Sequence, residues 1–327
     1  MKGPLVSVIV RSKDRLPWLL ELLDRLLEQE GVPFEVVVIE QSGEKDQDRL
    51  RALLARAEMD PRLRVVRRPP MPPAAARNEG VRHSRGEILL FIDDDDLPVG
   101  RQWILAHAKQ YEDPACLGVT GRWVLREGEG FPYACEERAY RRCMVFSPVL
   151  RLPWSYARQQ RPKRGIEILG GSNASVRRSV VERVGGWHES VIEGEENGFS
   201  LRLLQAKQPH EYLLFSPEPV MLRRLDVPGG LERRTLPLAE RVFRQLEYLH
   251  RVIAVYYPWR VRLLYPAYLV ALIHRVAVEL LDDSLLLGRF SRYLAVAKLI
   301  VFSPLFVIYG WWRLIRGNGP RLPAAEA

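Results

Sequence analysis

Cysteine is scarce in this 327-residue chain, which has only three. Cys116, Cys135 and Cys143 are odd in number and lack the paired close spacing of zinc ligands. Such cysteines are typical of reduced thiols, so we expect a cytoplasmic protein without a disulfide framework.

Several other signals are missing as well. The first apolar run ends at Arg11 and is too short for the apolar core of a signal peptide. No repeat with a period of about 20 to 50 residues is apparent. The net charge is +9, but the basic residues are spread along the chain without a recognisable nucleic-acid-binding motif. We therefore expect no nucleic acid among the partners.

Carboxylates, in contrast, are concentrated at one point, where Asp93 to Asp96 directly follow the apolar run 88–92. Such a run is typical of a strand buried on both faces of a parallel sheet, and ligands bind at the carboxyl ends of such strands. Adjacent carboxylates repel one another unless a cation offsets their charge. We expect Mg2+ or Mn2+ to be that cation, since the cluster otherwise has none, which predicts a metal and nucleotide site. The alternative is an acidic turn that caps a helix after Pro98.

Strands and helices alternate through the N-terminal half of the chain. Apolar runs predict strands at residues 5–10, 34–39, 63–66 and 88–92, and helical spacing predicts helices at 16–27, 47–57 and 74–83. This alternation predicts an α/β fold with a doubly wound, mostly parallel sheet.

Short motifs occur in a fixed order between about residues 5 and 220. They are Val6-Ser7-Val8-Ile9-Val10 with Asp14-Arg15, the segment Val36 to Ser42, Ala75-Ala76-Arg77-Asn78-Glu79-Gly80, the segment Gly86 to Pro98, Gly170-Gly171-Ser172-Asn173, Val184-Gly185-Gly186-Trp187 and Gly194-Glu195-Glu196. In this order and spacing they resemble a family 2 glycosyltransferase, an inverting enzyme with the nucleotide-sugar-binding GT-A fold.

On the donor side, the resemblance implies a nucleotide-diphosphate sugar, linked to UDP, dTDP or GDP. It implies that Asp95 holds Mg2+ or Mn2+, which bridges the diphosphate, with Asp96 behind it. The remaining implied nucleotide-sugar contacts are Glu40 at the base, Arg77, Asp93 at the nucleoside, and Asp94. Arg11 and Lys13 stand where the family usually has a Pro-Thr pair; we expect Arg11 near the diphosphate, and the alternative is that these cations are solvated surface groups. Glu40 replaces the usual Asp and is one methylene longer.

On the acceptor side, the resemblance implies that Glu196 is the general base, in place of the family's usual Asp. The other implied acceptor-side residues are Gly171, Asn173, Trp187 and Glu195. The base takes a proton from an acceptor hydroxyl, and attack opposite the leaving diphosphate inverts the anomeric centre. An acidic first turn of a helix is the alternative interpretation of Glu195-Glu196.

Two other functions compete with this one. A nucleotidyltransferase shares the carboxylate and metal site, but it needs a glycine-rich phosphate loop after the first strand, and Arg11-Ser12-Lys13-Asp14-Arg15 contains no glycine. A catalytically silent nucleotide-sugar-binding or scaffold protein at the membrane is the second alternative.

The C-terminal third predicts a separate region, so we divide the chain into a catalytic domain at 1–225 and a helical region at 226–327. Residues 261–287 have the charge-interrupted apolar character of an interfacial helix. Residues 294–312 are nearly long enough to span a bilayer, and cations flank them on both sides. We expect peripheral, re-entrant or C-terminally anchored attachment to the cytoplasmic face of the cell membrane, with an anionic surface and a glycan or lipid-linked acceptor as partners. The alternative is that these helices pack on the catalytic domain.

Overall fold

The computed structural model describes residues 5–43, 46–148, 150–189, 194–224 and 227, together with isolated helical positions between residues 264 and 304. The strands are Val6–Ser12 (β1), Phe34–Glu40 (β2), Leu63–Arg67 (β3), Ile88–Asp93 (β4), Asp96–Pro98 (β5), Cys116–Val124 (β6), Val145–Phe146 (β7), Pro153–Trp154 (β8), Lys163–Ile166 (β9), Ala174–Arg177 (β10) and Tyr212–Arg223 (β11). The helices are Leu16–Leu27 (α1), Gln47–Met59 (α2), Pro73–His83 (α3), Trp103–Lys109 (α4), Glu136–Arg141 (α5), Arg178–Val184 (α6) and Glu195–Ala206 (α7).

The elements that the sequence predicts up to residue 92 are all present, and each observed end lies within two residues of the predicted one. Asp94 and Asp95 do form a turn, between β4 and β5. This acidic turn caps no helix, because β5 follows it and α4 starts only at Trp103, with Gln102 as its N-cap.

One mixed sheet organises this part of the chain, with the strand order β3-β2-β1-β4-β10-β6-β11-β5 and with β9 on β11. The four strands from β3 to β4 are parallel, as are β6 and β11. β10 runs antiparallel between β4 and β6, and β5 and β9 run antiparallel to β11. The predicted α/β fold with a mostly parallel sheet is confirmed, and the antiparallel strands extend it.

Helices cover both faces of the parallel half. Val8 and Val10 face a core shared with the leucines of α1, whereas Val37 and Ile39 of β2 pack on the opposite face with α3. Leu19, Leu22, Leu23 and Leu26 are fully buried on α1, and each buried leucine contributes about 1.5–3 kcal/mol of transfer free energy. The carboxyl ends of β1, β2 and β4 meet at one end of the sheet, at Ser12, Glu40 and Asp93.

The chain divides into two compact units. The described residues of the first unit lie within 5–129, 142–145 and 155–227 and contain the sheet, while 130–141 and 146–154, with α5, belong to the second. A division at residue 225 stays a prediction. The helices predicted at 261–287 and 294–312 lie outside the described residues, apart from isolated positions. Within the described part of the chain, no helix combines the length and the apolarity needed to cross a membrane.

Candidate functional site

The register of the parallel strands brings predicted site residues to one edge of the sheet. Arg11 lies beside Asp93 across β1 and β4, and Ser12 lies beside Glu40 across β1 and β2. Because β5 pairs with β11, Arg223 lies beside Asp96 at the same edge. Residues far apart in sequence therefore converge on the aspartate cluster.

Arginines accompany the first three aspartates. Arg11 Nη2 lies 3.1 Å from Asp93 Oδ1. Arg15 Nη1 donates to Asp94 Oδ1 at 2.9 Å and to Asp95 Oδ2 at 3.0 Å. The expectation that this cluster lacks a cation is therefore wrong, because guanidinium groups offset the carboxylates.

Asp96 is held by two other groups. Arg223 Nε lies 3.3 Å from Asp96 Oδ1, and Ser172 Oγ donates to Asp96 Oδ2 at 2.7 Å. Ser172 Oγ also accepts the backbone N–H of Asp93 at 3.0 Å. Ser172 thus ties the first aspartate to the last.

Burial and charge set the proton affinities of the cluster. Burial, the largest effect, raises the pKa of Asp94 to about 6 despite Arg15, and it raises the pKa of Asp96 to about 6 despite Arg223. Burial and the charge of Asp93 also raise the pKa of Asp95. At Asp93, the cations Arg11, Arg77 and Arg223 outweigh burial and lower the pKa. Asp94, Asp95 and Asp96 are thus harder to ionise than free aspartates, whereas Asp93 is easier to ionise.

The cluster fits a hard divalent cation. Asp93, Asp95 and Asp96 each offer a carboxylate oxygen, and these oxygens lie within 4.8 Å of one another. An all-oxygen donor set suits Mg2+ or Mn2+ better than a metal that prefers sulfur or imidazole ligands.

Glu40 ends β2 at this edge of the sheet and is fully buried. Its Oε1 accepts the backbone N–H of Ser42 at 2.6 Å, and its Oε2 lies 3.5 Å from Arg67 Nε without a hydrogen-bond partner. Arg67 offsets part of the charge of this oxygen, but a buried carboxylate oxygen without a hydrogen bond is costly, so Oε2 suits a donor group of a ligand.

Arg77 on α3 connects the aspartates to the two glutamates. Its Nη1 contacts Glu195 Oε1, its Nη2 donates to the carbonyl of Gly171 at 2.7 Å, and Nη2 lies 3.9 Å from Asp93 Oδ1. A Cβ atom at Gly171 would lie 3.1 Å from Arg77 Nη2 and 3.9 Å from Glu196 Cδ. Arg77 is almost completely buried, so the guanidinium is fixed between the two groups of carboxylates.

Glu196 lies in the first turn of α7, which Gly194 precedes in the left-handed conformation (φ 73°). Burial, followed by the charge of Glu195, raises the pKa of Glu196 to about 7, although Arg77 opposes the shift. Glu195 and Glu196 do lie in the acidic first turn of a helix, as the alternative interpretation predicts. However, a helix N-terminus by itself favours the ionised carboxylate, so burial dominates here.

Trp187 is buried in an aromatic group beside Glu196. Its ring stacks on Phe199 at a centroid distance of 4.3 Å and meets the edge of Phe91 at 4.8 Å. Asn78 fixes its backbone, since the Asn78 side chain both accepts from Trp187 N and donates to Trp187 O at 2.8 Å. Trp187 and Glu196 line a cavity of about 10 Å³, which is close to the least space that can hold one water molecule.

Asn173 requires a correction, since its side chain belongs to the buried core rather than to an acceptor-facing surface. Its Oδ1 accepts from Trp103 Nε1 at 2.8 Å and pairs with His107 Nε2 at 2.9 Å. Its Nδ2 donates to the carbonyls of Arg122 and Pro219 at 2.8 and 3.0 Å. Every polar position of the amide is occupied, so this side chain joins α4 to the sheet below the site.

Sequence reasoning missed three residues that act on the cluster, namely Arg15, Ser172 and Arg223. Two of them stand within recognised motifs, but nothing in those motifs shows that they point toward the aspartates. Arg223 is 127 residues from Asp96, and only the pairing of β5 with β11 brings the two together.

A comparison with protein families shows which family the chain belongs to. The model of the family described as "Glycosyl transferase family 2" matches residues 7–185, more than half of the chain. The chain belongs to glycosyl transferase family 2. The matched residues contain the four aspartates, Arg77, Gly171 and Asn173, whereas Trp187, Glu195 and Glu196 follow the matched region.

Sequence relatives of this family 2 member cover only part of it. It is 33% identical over 92 residues to an uncharacterized glycosyltransferase of Rickettsia felis, over 28% of this chain and 15% of that protein. It is also 33% identical over 98 residues to the uncharacterized glycosyltransferase EpsJ of Bacillus subtilis, over 28% of this chain and 26% of EpsJ. The chain thus spans far less than two thirds of these curated relatives.

Solved structures resemble it over a greater length. The mannosyltransferase PcManGT from Pyrobaculum calidifontis, in complex with GDP-Man and Mn2+, superposes with a TM-score of 0.56 at 19% identity, covering 94% of this chain and 88% of that chain. TarS 1-349 of S. aureus, in complex with UDP-GlcNAc, gives a TM-score of 0.50 at 14% identity, covering 90% and 71%. At these identities the likeness shows the fold, which is that of GT-A glycosyltransferases.

Proposed function

We propose that this chain is a metal-dependent inverting glycosyltransferase. It moves a sugar from a nucleotide-diphosphate sugar to a hydroxyl group of a glycan or lipid-linked acceptor. The observation that carries the proposal is the position of Arg77, which contacts Glu195 and lies 3.9 Å from Asp93. The aspartate cluster, which suits a diphosphate and a metal, therefore adjoins the Glu195-Glu196 pair, which suits proton transfer.

The donor occupies the carboxyl ends of β1, β2 and β4 in this proposal. Glu40 reads the base with its unpartnered oxygen, Asp93 and Asp94 face the nucleoside, and Arg11 and Arg77 supply positive charge beside them. The donors of PcManGT and TarS, GDP-Man and UDP-GlcNAc, are nucleotide-diphosphate sugars, which supports this donor class. The nucleotide of the donor is UDP, dTDP or GDP.

Asp95 holds the Mg2+ or Mn2+ ion, with Asp93 and Asp96 beside it. The bound metal supplies charge stabilisation for the departing diphosphate. The Mn2+ of the PcManGT complex and the oxygen donor set of these aspartates support this choice.

Glu196 is the general base. A base works best when its pKa lies near the working pH, and burial gives Glu196 a pKa of about 7. It takes the proton of the acceptor hydroxyl while that oxygen attacks the anomeric carbon opposite the diphosphate. One displacement inverts the configuration and requires no enzyme nucleophile.

The acceptor binds on the side of Gly171, Trp187 and Glu195. We further propose that the protein works at the cytoplasmic face of the cell membrane, in the synthesis of a cell-surface or lipid-linked glycan. The charge of +9 and the cation-flanked apolar segments of the C-terminal region support this location.

Donor hydrolysis tests the proposal without an identified acceptor. We expect the protein to release nucleoside diphosphate from one class of UDP-, dTDP- or GDP-sugar in Mn2+ or Mg2+, and not in a chelator. NMR of the freed sugar, recorded before mutarotation, should show the anomer opposite to that of the donor. Retention of configuration would contradict inversion, and binding without any turnover would favour the silent alternative.

A further inference from the structure

Each aspartate that is suited to hold a metal already has an arginine partner, so a metal ion has to compete with a guanidinium. Arg11 pairs with Asp93, Arg15 with Asp95 and Arg223 with Asp96. A carboxylate whose charge is already paired attracts another cation less strongly.

These arginines differ in the element that carries them and in the aspartates that they contact. Arg11 and Arg223 extend from strands β1 and β11, and the Arg223 guanidinium also lies over the ring of Trp123, 5.1 Å from its centroid. Arg15 lies in the loop before α1, and a single nitrogen, Nη1, contacts both Asp94 and Asp95. Arg15 is therefore the cation that competes directly with a metal ion at Asp95.

The backbone around Arg15 is anchored, which confines the exchange to the side chain. Asp14 N donates to Ser42 Oγ at 2.8 Å, and Gly43 N donates to Asp14 Oδ1 at 3.1 Å. These bonds join the loop to the end of β2, where Glu40 lies. Asp14 thus holds the loop against the residues after β2, while the Arg15 side chain contacts the aspartates.

We propose that Arg15 is an exchangeable counter-ion of Asp94 and Asp95, and that the diphosphate of the donor draws Arg15 away and so frees Asp95 for the metal. A guanidinium pairs well with phosphate oxygens through parallel hydrogen bonds, so the exchange replaces one set of charged contacts with another. The diphosphate and the metal then raise each other's affinity, and by linkage the two factors are equal. This inference rests on the proposed function, since it assumes a diphosphate at this edge of the sheet.

Calorimetric titration of Mn2+ into the full chain, with and without GDP, UDP or dTDP, tests the exchange. We expect Arg15→Gln to bind Mn2+ alone about tenfold more tightly than wild type, as expected when a charge-assisted contact no longer competes. The factor by which the nucleoside diphosphate tightens Mn2+ binding should fall by a similar amount. Arg15→Met is a second neutral variant, in case Arg15→Gln does not fold, and Arg15→Lys keeps the charge and should behave like wild type.

Lys13→Gln is the matched control. Lys13 lies two residues before Arg15, is exposed, and makes no ion pair among the described residues, so the variant removes the same charge without freeing a carboxylate. It should change the affinity for Mn2+ alone by less than about twofold at physiological salt. Equal effects of Arg15→Gln and Lys13→Gln, or unchanged coupling in Arg15→Gln, would overturn the inference and leave the proposed function intact. If the wild-type protein binds no Mn2+ with any of the three nucleoside diphosphates, the metal dependence in the proposed function is wrong. The inference then fails with it.

Discussion

Replacing Glu196 with Gln should change stability and catalysis in opposite directions. The pKa of Glu196 rises from an ordinary value of 4.5 to about 7 on folding, so the folded protein binds this proton more tightly than the unfolded chain does. Ionising such a carboxyl group costs more in the folded protein than in the unfolded chain, so the free energy of unfolding falls as the pH rises from the unfolded pKa to the folded pKa. Wild type should therefore lose stability relative to Glu196→Gln as the pH rises from about 4.5 to 7.

The size of this effect follows from the shift. The full difference in pKa corresponds to about 3 kcal/mol, which the partial exposure of the carboxyl reduces to about 1–2 kcal/mol. Urea unfolding at pH 5 and pH 8 measures it, with Glu182→Gln as control because Glu182 is an exposed glutamate on α6. We expect Glu196→Gln to be more stable than wild type at pH 8 and about equally stable at pH 5. An equal difference at both pH values, or one shared by Glu182→Gln, would refute the raised pKa.

Catalysis should respond in the other direction. Glu196→Gln keeps the size of the side chain but removes the proton acceptor, so turnover should fall by about 100-fold to 10,000-fold while donor binding is nearly unchanged. Wild-type turnover should fall as the pH drops below about 7, because the base must be ionised. If Glu195→Gln loses turnover and Glu196→Gln keeps it, the base is the neighbouring residue. If both keep it, the base lies elsewhere.

Three further predictions concern the metal, the core and the membrane. Asp95→Asn should strongly weaken the metal-dependent binding of a nucleoside diphosphate, measured by calorimetry. Full binding by this variant in the presence of a chelator would contradict a role of the metal. Asn173→Ala should lower the free energy of unfolding by about 3 kcal/mol or more, because it leaves buried partners unpaired; a urea midpoint close to that of wild type would contradict the core role. A chain ending near residue 244 should lose binding to anionic liposomes, and equal co-sedimentation of the short and full-length chains would show that the C-terminal region does not attach the protein.

Local patterns predicted the parallel half of the fold well, because each of its strands and helices is marked by its own residues. The apolar run 88–92 and the leucine spacing of 16–27 each specify an element without help from the rest of the chain. The antiparallel strand β10, inserted between β4 and β6, has no such mark, since four residues of ordinary composition acquire their place only through long-range pairing.

The candidate site was predictable in its residue types but not in its contacts. The aspartates and the two glutamates stand out as acidic groups at the ends of predicted elements. Their partners do not, because an arginine that pairs with a carboxylate looks in sequence like an arginine on the surface. The same limit explains Asn173, whose motif suggested a ligand contact although tertiary packing occupies all of its polar positions.

Thermal unfolding with a panel of nucleotide-diphosphate sugars tests the central claim most directly, because a ligand that binds only the folded state raises its apparent stability. At a concentration about 100 times its Kd, one class of UDP-, dTDP- or GDP-sugar should stabilise the protein by about 2.7 kcal/mol in the presence of Mn2+ or Mg2+. For a domain of this size we expect a rise in Tm of about 5–10 °C, which a chelator abolishes. Failure of every nucleotide sugar to raise the Tm with either metal would contradict nucleotide-sugar binding at the aspartate cluster.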